Sequence, residues 1–368
     1  MRVLLSVVGT YGDVRPVFAL ALRVRERGHD VHLCIPPNFT AWAAELGFTA
    51  TPVGVAMRAS PQGVPATPIP DLITDQFDSI LGAAHDCDIV LGANAHQYAA
   101  PSVAELCGVP YVNALYAPTA LPAEDNVRSW NERARERVNA NRARLGLAPV
   151  DDVLRHVVTD HPWLATDPVL SPVPSAEGMT IVQTGAWMLD DVRALPDSLE
   201  AFLDAGAPPV CFGFGSMPVA EGMNSVLIEA ARLAGLRAIL MRGWGRLTLI
   251  DDAPDCIEID EVNHHALFQR VAMVVHHGGA GTTHAAARSG CPQVIVPMFS
   301  DQPYWASRVR TLGVGTSISP NELSVERLAL VLEEVAKPGV TRRAEMLAQR
   351  IAIDGADIAA SLIAQLVE

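Results

Sequence analysis

Three things are missing from this 368-residue chain, and each absence argues against a class of function. A surplus of positive charge is the first. With 27 Lys and Arg against 41 Asp and Glu, the net charge is −14 and the pI near 5.2, which argues against nucleic acid or an anionic membrane as a standing partner, since both are bound through basic patches. A long apolar run is the second: nothing approaches the ~18 residues of a membrane span. The opening "MRVLLSVV" is too short for a signal peptide's apolar segment, and no cleavage-like site follows it. Paired cysteine is the third. The six cysteines, at positions 34, 87, 107, 211, 256 and 291, form neither a CxxC pair nor a Cys/His cluster, and are expected as reduced core residues of a soluble, cytoplasmic protein.

What is present is an ordinary globular composition, 49% hydrophobic and 18% charged, long enough for about two domains of ~100–200 residues. Short β-branched runs alternate with helical patterns. "VLLSVV", "RPVFALALRVRERG" and "DVHLCIP" read as strand, helix and strand, and "CDIVLGA" and "VPYVNAL" continue the series toward a parallel sheet. A second series runs through "PPVCFGFGSM", "LRAILMRG", "CIEID", "MVVHHGG" and "PQVIVPM". The expected organisation is an N-terminal domain over 1–190, a linker over 191–207, a second domain over 208–350, and a C-terminal helix over 351–368 that crosses back to the first domain to bury its apolar face. The prolines of "SPQGVPATPIP" mark residues 55 to 75 as an irregular loop. "DNVRSWNERARERVNANRARLG" reads as an exposed helix ended by Gly146, its arginines a solvated face.

Ligands of such sheets bind at the carboxyl ends of the strands. There, in "MVVHHGGAGTTHAAARSG", a strand ends at two histidines and a helix begins near Gly281 and Thr282, stopping at Gly290. Glycines let the backbone approach a ligand while first-turn N–H groups and the helix dipole point at it. The dipole is worth only ~0.3–1 kcal/mol per charge at an exposed site, so Thr282 and a histidine should supplement it. This is an anion site suited to a diphosphate. The bland alternative is strand-to-helix packing with histidines that merely end a strand.

This junction, together with "GTYGDVRPVFALALRVRERGHDVHLCIPPNF", "FGFGSM", "RGWGRL" and "IDEVNHHALFQRVAMVVHHGGAGTTHAAARSGCPQVIVPMFSDQPYWASRV", resembles the GT-B glycosyltransferases, specifically the actinomycete enzymes that glycosylate antibiotics, with the sterol glucosyltransferases as relatives. The resemblance spans nearly the whole chain. It implies two Rossmann-like domains facing an interdomain cleft. It also implies that His277 and Thr282 contact the donor diphosphate with backbone help from Gly279 and Gly281, and that Ser216 and Thr10 add hydroxyls. Trp244 and Val262 would border the nucleobase, where an indole suits stacking on uracil or thymine; the alternative for Trp244 is a core position. Asp301 and Gln302 would read the donor sugar's hydroxyls, although Asp301 is also a good helix N-cap.

Sugar transfer to a hydroxyl needs a base near the acceptor oxygen and a stabilised leaving group. Asp13, in "VVGTYGDVRP", stands where many relatives carry a His paired with a downstream Asp. No partner Asp is evident in "DIVLGANAHQYAAP", so Asp13 is expected to act alone, with a pKa lowered by its place at a helix N-terminus, or to serve only as a helix cap. Tyr11 replaces an arginine frequent in the family, and the acceptor-facing loops at 55–80 and after 118 look short. The DxD triplet of "HDCDIV" reads as structural, and no metal is expected. "GTYGDV" and "GFGSMP" lack the spacing of a nicotinamide site. The expectation is an inverting, metal-independent enzyme that moves a hexosyl group from a UDP- or dTDP-sugar to a small-molecule aglycone in antibiotic biosynthesis, as a monomer or weak dimer. A sugar-nucleotide epimerase or a non-catalytic auxiliary protein of the same fold are the alternatives.

Overall fold

The computed structural model describes residues 1–57 and 69–367, which divide into two compact units: 1–57, 69–189 and 352–367 in the first, and 190–351 in the second. Most of the expected loop at 55–75, and with it much of the expected shortening at 55–80, lies outside the described residues.

In the first unit the chain runs β1 (Arg2–Val7), α1 (Tyr11–Glu26), β2 (Asp30–Ile35), α2 (Thr40–Glu45), β3 (Thr49–Pro52), α3 (Ile69–Ala83), β4 (Ile89–Ala93), α4 (Ala100–Cys107), β5 (Tyr111–Leu115), α5 (Glu124–Arg144), α6 (Val153–Val158), β6 (Trp163–Leu164) and β7 (Val182–Gln183). Among the described residues these form a seven-stranded parallel sheet in the order β3-β2-β1-β4-β5-β6-β7. Successive crossovers move outward one way from β1 and then, from β4, the other way. β1 and β4 therefore flank the switch point where such sheets bind ligands. α1 covers one face because Val14, Val17, Phe18, Ala21 and Val24 recur at helical spacing and are buried. α3 starts at Ile69, inside the stretch expected as a loop, and its buried Ile73, Phe77 and Ile80 follow the same spacing.

The second unit runs α7 (Asp197–Asp204), β8 (Val210–Gly213), α8 (Met223–Leu233), β9 (Ala238–Met241), β10 (Cys256–Ile259), α9 (His264–Phe268), β11 (Met273–His276), α10 (Ala280–Arg288), β12 (Gln293–Ile295), α11 (Gln302–Leu312), β13 (Gly315–Ser317), α12 (Val325–Val335) and α13 (Pro338–Ala348). Its sheet, again parallel, has the order β10-β9-β8-β11-β12-β13 among the described residues, with the switch point between β8 and β11. α7 occupies part of the stretch 191–207, with Leu199 and Leu203 buried.

α14 (Gly355–Val367) belongs to the first unit, where Ala356, Ala359, Ala360 and Ile363 join the core that α1 covers. Asp357 takes ion pairs from Arg23 at 3.2 Å and Arg27 at 3.1 Å. The approach is close enough that a Cβ on Gly355 would lie 2.5 Å from the Ala186 carbonyl oxygen.

Two expectations need correction. Arg142 on α5 is not solvated: it is buried, donating to Glu105 at 2.8 Å, Ser102 Oγ at 2.8 Å and the Ala148 carbonyl at 2.7 Å. Val127, Trp130, Ala134 and Val138 form a buried or half-buried stripe at helical spacing on α5, and Asn141 and Arg142 continue it, so the guanidinium turns inward with that face toward partners on other elements. Cys107 is exposed, at the end of α4, while the other five thiols are buried. The DxD triplet lies in the turn before β4, where Asp88 accepts the Arg2 N–H at 2.6 Å.

Candidate active site

Sheet register sets the geometry on the second unit. Gly213 pairs with Met241 and with His276, Met241 pairs with Ile259, and His276 pairs with Ile295, so five strands end level. His277 follows its strand directly, Ser216, Trp244 and Val262 come within the loops that leave β8, β9 and β10, and Asp301 ends the loop between β12 and α11, which places the expected donor residues after one carboxyl edge. Ser216 after β8 and His277 after β11 flank the switch point itself. The β8 and β9 loops are tied together, since the Trp244 N–H donates to the Gly215 carbonyl at 2.8 Å. Trp244 and Ser216 are half-buried; Val262 is buried.

The two histidines have different surroundings. His276 is fully buried, its Nδ1 accepting the Gly278 N–H at 3.1 Å. That bond leaves the ring proton on Nε2, which donates to Gln293 Oε1 at 3.0 Å, and Gln293 in turn donates to the Thr283 carbonyl at 3.3 Å. Burial holds His276 down to about 3, so it is a neutral strut of the loop. His277 lies over the turn, and a Cβ on Gly279 would be 2.5 Å from its Nε2. Its Nδ1 is buried without a hydrogen-bond partner, and burial holds its pKa to about 4, so the ring is neutral at pH 7 and has one N–H to give.

α10 begins at Ala280, with Gly279 as N-cap, and ends at Arg288, one residue from each expected boundary region. Thr282 is half-buried in its first turn; Gly281 is exposed, and a Cβ there would meet nothing within 4 Å. The first-turn N–H groups have no intrahelical acceptor.

Asp301 is the N-cap residue of α11, but its side chain makes no cap bond: Oδ2 accepts the Trp305 indole N–H at 2.7 Å. The Gln302 side chain is buried, its Oε1 taken by the Met298 and Phe299 N–H groups at 2.7 and 3.2 Å, and its Nε2 3.5 Å from Met217 Sδ.

On the first unit, Thr10 and Asp13 follow β1. Asp13 does cap its helix, with Oδ2 accepting the Thr10 N–H at 2.8 Å, and Gly9 is required behind it because φ is +149° and a Cβ would sit 2.2 Å from that oxygen. Two expectations about Asp13 are corrected. It does not stand alone: Asn94, in the stretch searched for a partner Asp, donates to Oδ1 at 3.0 Å, and the Tyr116 hydroxyl donates to its main-chain oxygen at 3.0 Å. Its pKa is not lowered. Burial pushes it above the ordinary carboxylate value, outweighing the bonds from Thr10 and Asn94 that act in the opposite direction. Tyr11 stacks on Trp42 at 5.1 Å. Asn94, Tyr116 and Gln293 are candidate-site residues that the sequence alone did not reveal, and His276, one of the two histidines noted there, takes the role of a buried strut.

Residues 236–364 match the family described as erythromycin biosynthesis protein CIII-like, C-terminal domain, and residues 3–121 match the glycosyltransferase family 28 N-terminal domain. Glycosyltransferase GtfE and the vancomycin aglycone glucosyltransferase, both of Amycolatopsis orientalis, are each 42% identical to the chain over 99% of it and 97% of their own length. Among solved structures, glycosyltransferase VinC in complex with dTDP superposes with a TM-score of 0.73 at 21% identity, covering 100% of this chain and 99% of that one.

Proposed function

The chain belongs to the GT-B glycosyltransferases of the antibiotic-biosynthesis type, and from that premise we propose that it is an inverting enzyme moving a hexosyl group from a dTDP- or UDP-sugar to a hydroxyl of a small-molecule aglycone. Membership sets aside the epimerase and auxiliary-protein alternatives. The observation that carries the finer reading is the switch point of the second sheet. There the His277 ring carries a buried nitrogen without a partner, and a Cβ on Gly281, in the first turn of α10, would meet nothing within 4 Å.

The donor's diphosphate is held by the first-turn N–H groups, Thr282, His277 and Ser216, with Gly279 and Gly281 admitting it to the backbone. Trp244 and Val262 border the nucleobase. Asp301 meets the sugar, and Gln302, whose Oε1 is held by the Met298 and Phe299 N–H groups, has only its Nε2 to offer. These neutral donors and a helix dipole take up leaving-group charge without a resident metal or other cofactor. The solved VinC complex contains dTDP, which favours a thymine nucleotide here. No helix among the described residues is long and apolar enough to cross a membrane, which fits a cytoplasmic enzyme using a soluble donor.

Asp13 takes the acceptor's proton. Burial raises its basicity, while the bonds from the Thr10 N–H and Asn94 act in the opposite direction and favour its charged form. Asp13→Asn tests this role. Turnover should fall by about 10²–10⁴ while the nucleotide dissociation constant stays unchanged, and full turnover in the variant would remove Asp13 from the mechanism.

A further inference from the structure

The Asp13 carboxylate is held from two parts of the chain. Oδ2 accepts the Thr10 N–H at 2.8 Å and lies 3.4 Å from Thr10 Oγ, both in the turn that starts α1. Oδ1 is served by Asn94, the first residue after β4, at 3.0 Å. Asn94 is itself fixed at every polar group. Nδ2 also donates to the Val8 carbonyl at 2.9 Å, Oδ1 accepts the His96 N–H at 2.9 Å, the Asn94 N–H donates to the Ala114 carbonyl at 2.7 Å, and its carbonyl accepts from the Asn113 amide at 2.9 Å. Its φ of +61° is the left-handed region, which Asn tolerates better than most residues. β1 and β4 are neighbours, so this rigid amide meets the carboxylate at the switch point of the first sheet.

We propose that Asn94 is a positioning residue for Asp13: its amide locks the carboxylate in one orientation by donating to Oδ1, a bond that favours the charged over the protonated form. The inference rests on the reading of Asp13 as the base. In that reaction the acceptor hydroxyl's proton passes to Asp13, its oxygen bonds to the anomeric carbon, and the bond from that carbon to the diphosphate oxygen breaks with its electron pair leaving on the diphosphate.

A carboxylate sunk in protein would take up a proton unless donors favoured its charged form. The Thr10 N–H is one such donor and Asn94 the other. The titratable groups on the segments packed against Asp13 add no charge near pH 7. Tyr116, after β5, is pushed well above its ordinary value by burial and by Asp13, and His96, beyond Asn94, is held below its ordinary value. On α1 itself Arg15 lies over the Tyr11 ring, 5.9 Å from its centroid.

Two substitutions suit the left-handed backbone. Asn94→Asp keeps an acceptor for the His96 N–H but turns a carboxylate toward Asp13; Asn94→Gly removes the amide altogether. Carboxyl ¹³C NMR titration of the full chain, with the Asp13 signal assigned by its absence from Asp13→Asn, reads the group without any acceptor substrate. The Asp13 midpoint should rise by about one pH unit or more in Asn94→Asp, where two carboxyls titrate as a pair, and by less in Asn94→Gly. An unmoved midpoint in both folded variants overturns the proposal. A moved midpoint that the pH profile of sugar transfer fails to follow leaves the Asn94–Asp13 pairing in place and removes Asp13 as the base.

Discussion

Gly281→Ala separates what the fold requires at the α10 turn from what a ligand requires. In the free protein an added Cβ at this position meets nothing within 4 Å, and Gly281 is not among the residues with positive φ. The substitution should therefore leave the unliganded protein unchanged or stabilise it by up to about 1 kcal/mol, because alanine loses less backbone freedom than glycine on folding. For a unit of this size that is a rise of roughly 0–4 °C in Tm. Nucleotide binding should move the other way. A methyl group on the open side of the turn holds the diphosphate off the first-turn N–H groups, and losing one charge-assisted hydrogen bond costs about 1.5–3 kcal/mol, or roughly 10- to 150-fold in Kd. Thermal unfolding without nucleotide and calorimetric titration with dTDP and UDP give both numbers. A variant that melts normally and binds as tightly as the wild type would show that the diphosphate does not approach this turn. A variant that loses several kcal/mol of stability would show instead that the turn is not open.

The remaining predictions concern protons. Burial depresses His276 to about 3 and His277 to about 4, so the native state declines protons that the unfolded chain accepts below about 6.5, and stability falls as pH drops through that window. From pH 7 to 5 each ring costs about 2 kcal/mol, measurable by urea unfolding; the drop should shrink in His277→Ala, and equal stability at both pH values would contradict the neutral assignment. For Asp13 the sign is reversed, since burial raises its pKa. The acid limb of turnover should lie above the ordinary carboxylate range and vanish with the residual activity of Asp13→Asn; a limb at or below that range would contradict the burial argument.

How far the sequence could be read follows from the range of the interactions involved. The β11–α10 junction is local, with strand, glycine turn and helix in one run of residues, and its boundaries were legible to about a residue. The two alternating series likewise showed two parallel sheets. The two-residue strands β6 and β7 were not legible, because no period can be counted over so few positions. α7 was hidden in a proline-rich, acidic stretch, although Leu199 and Leu203 four apart are the trace of its buried face. Asn94 and Asp13 are separated by 81 positions, and Arg142 and Glu105 by 37. Only strand order and helix packing bring such pairs together. The pKa of Asp13 failed for the same reason: its helix end could be read along the chain, whereas the burial that outweighs it depends on what folds over the site.

The most direct test of the donor site is calorimetric titration of the wild-type chain and His277→Ala with dTDP, UDP, ADP, GDP and NAD. Selective binding of dTDP or UDP by the wild type, weakened about tenfold or more by removing the imidazole, is the expected result. Equal affinity in both proteins, or no preference for a pyrimidine diphosphate, would contradict the placement of the diphosphate at the second sheet's switch point.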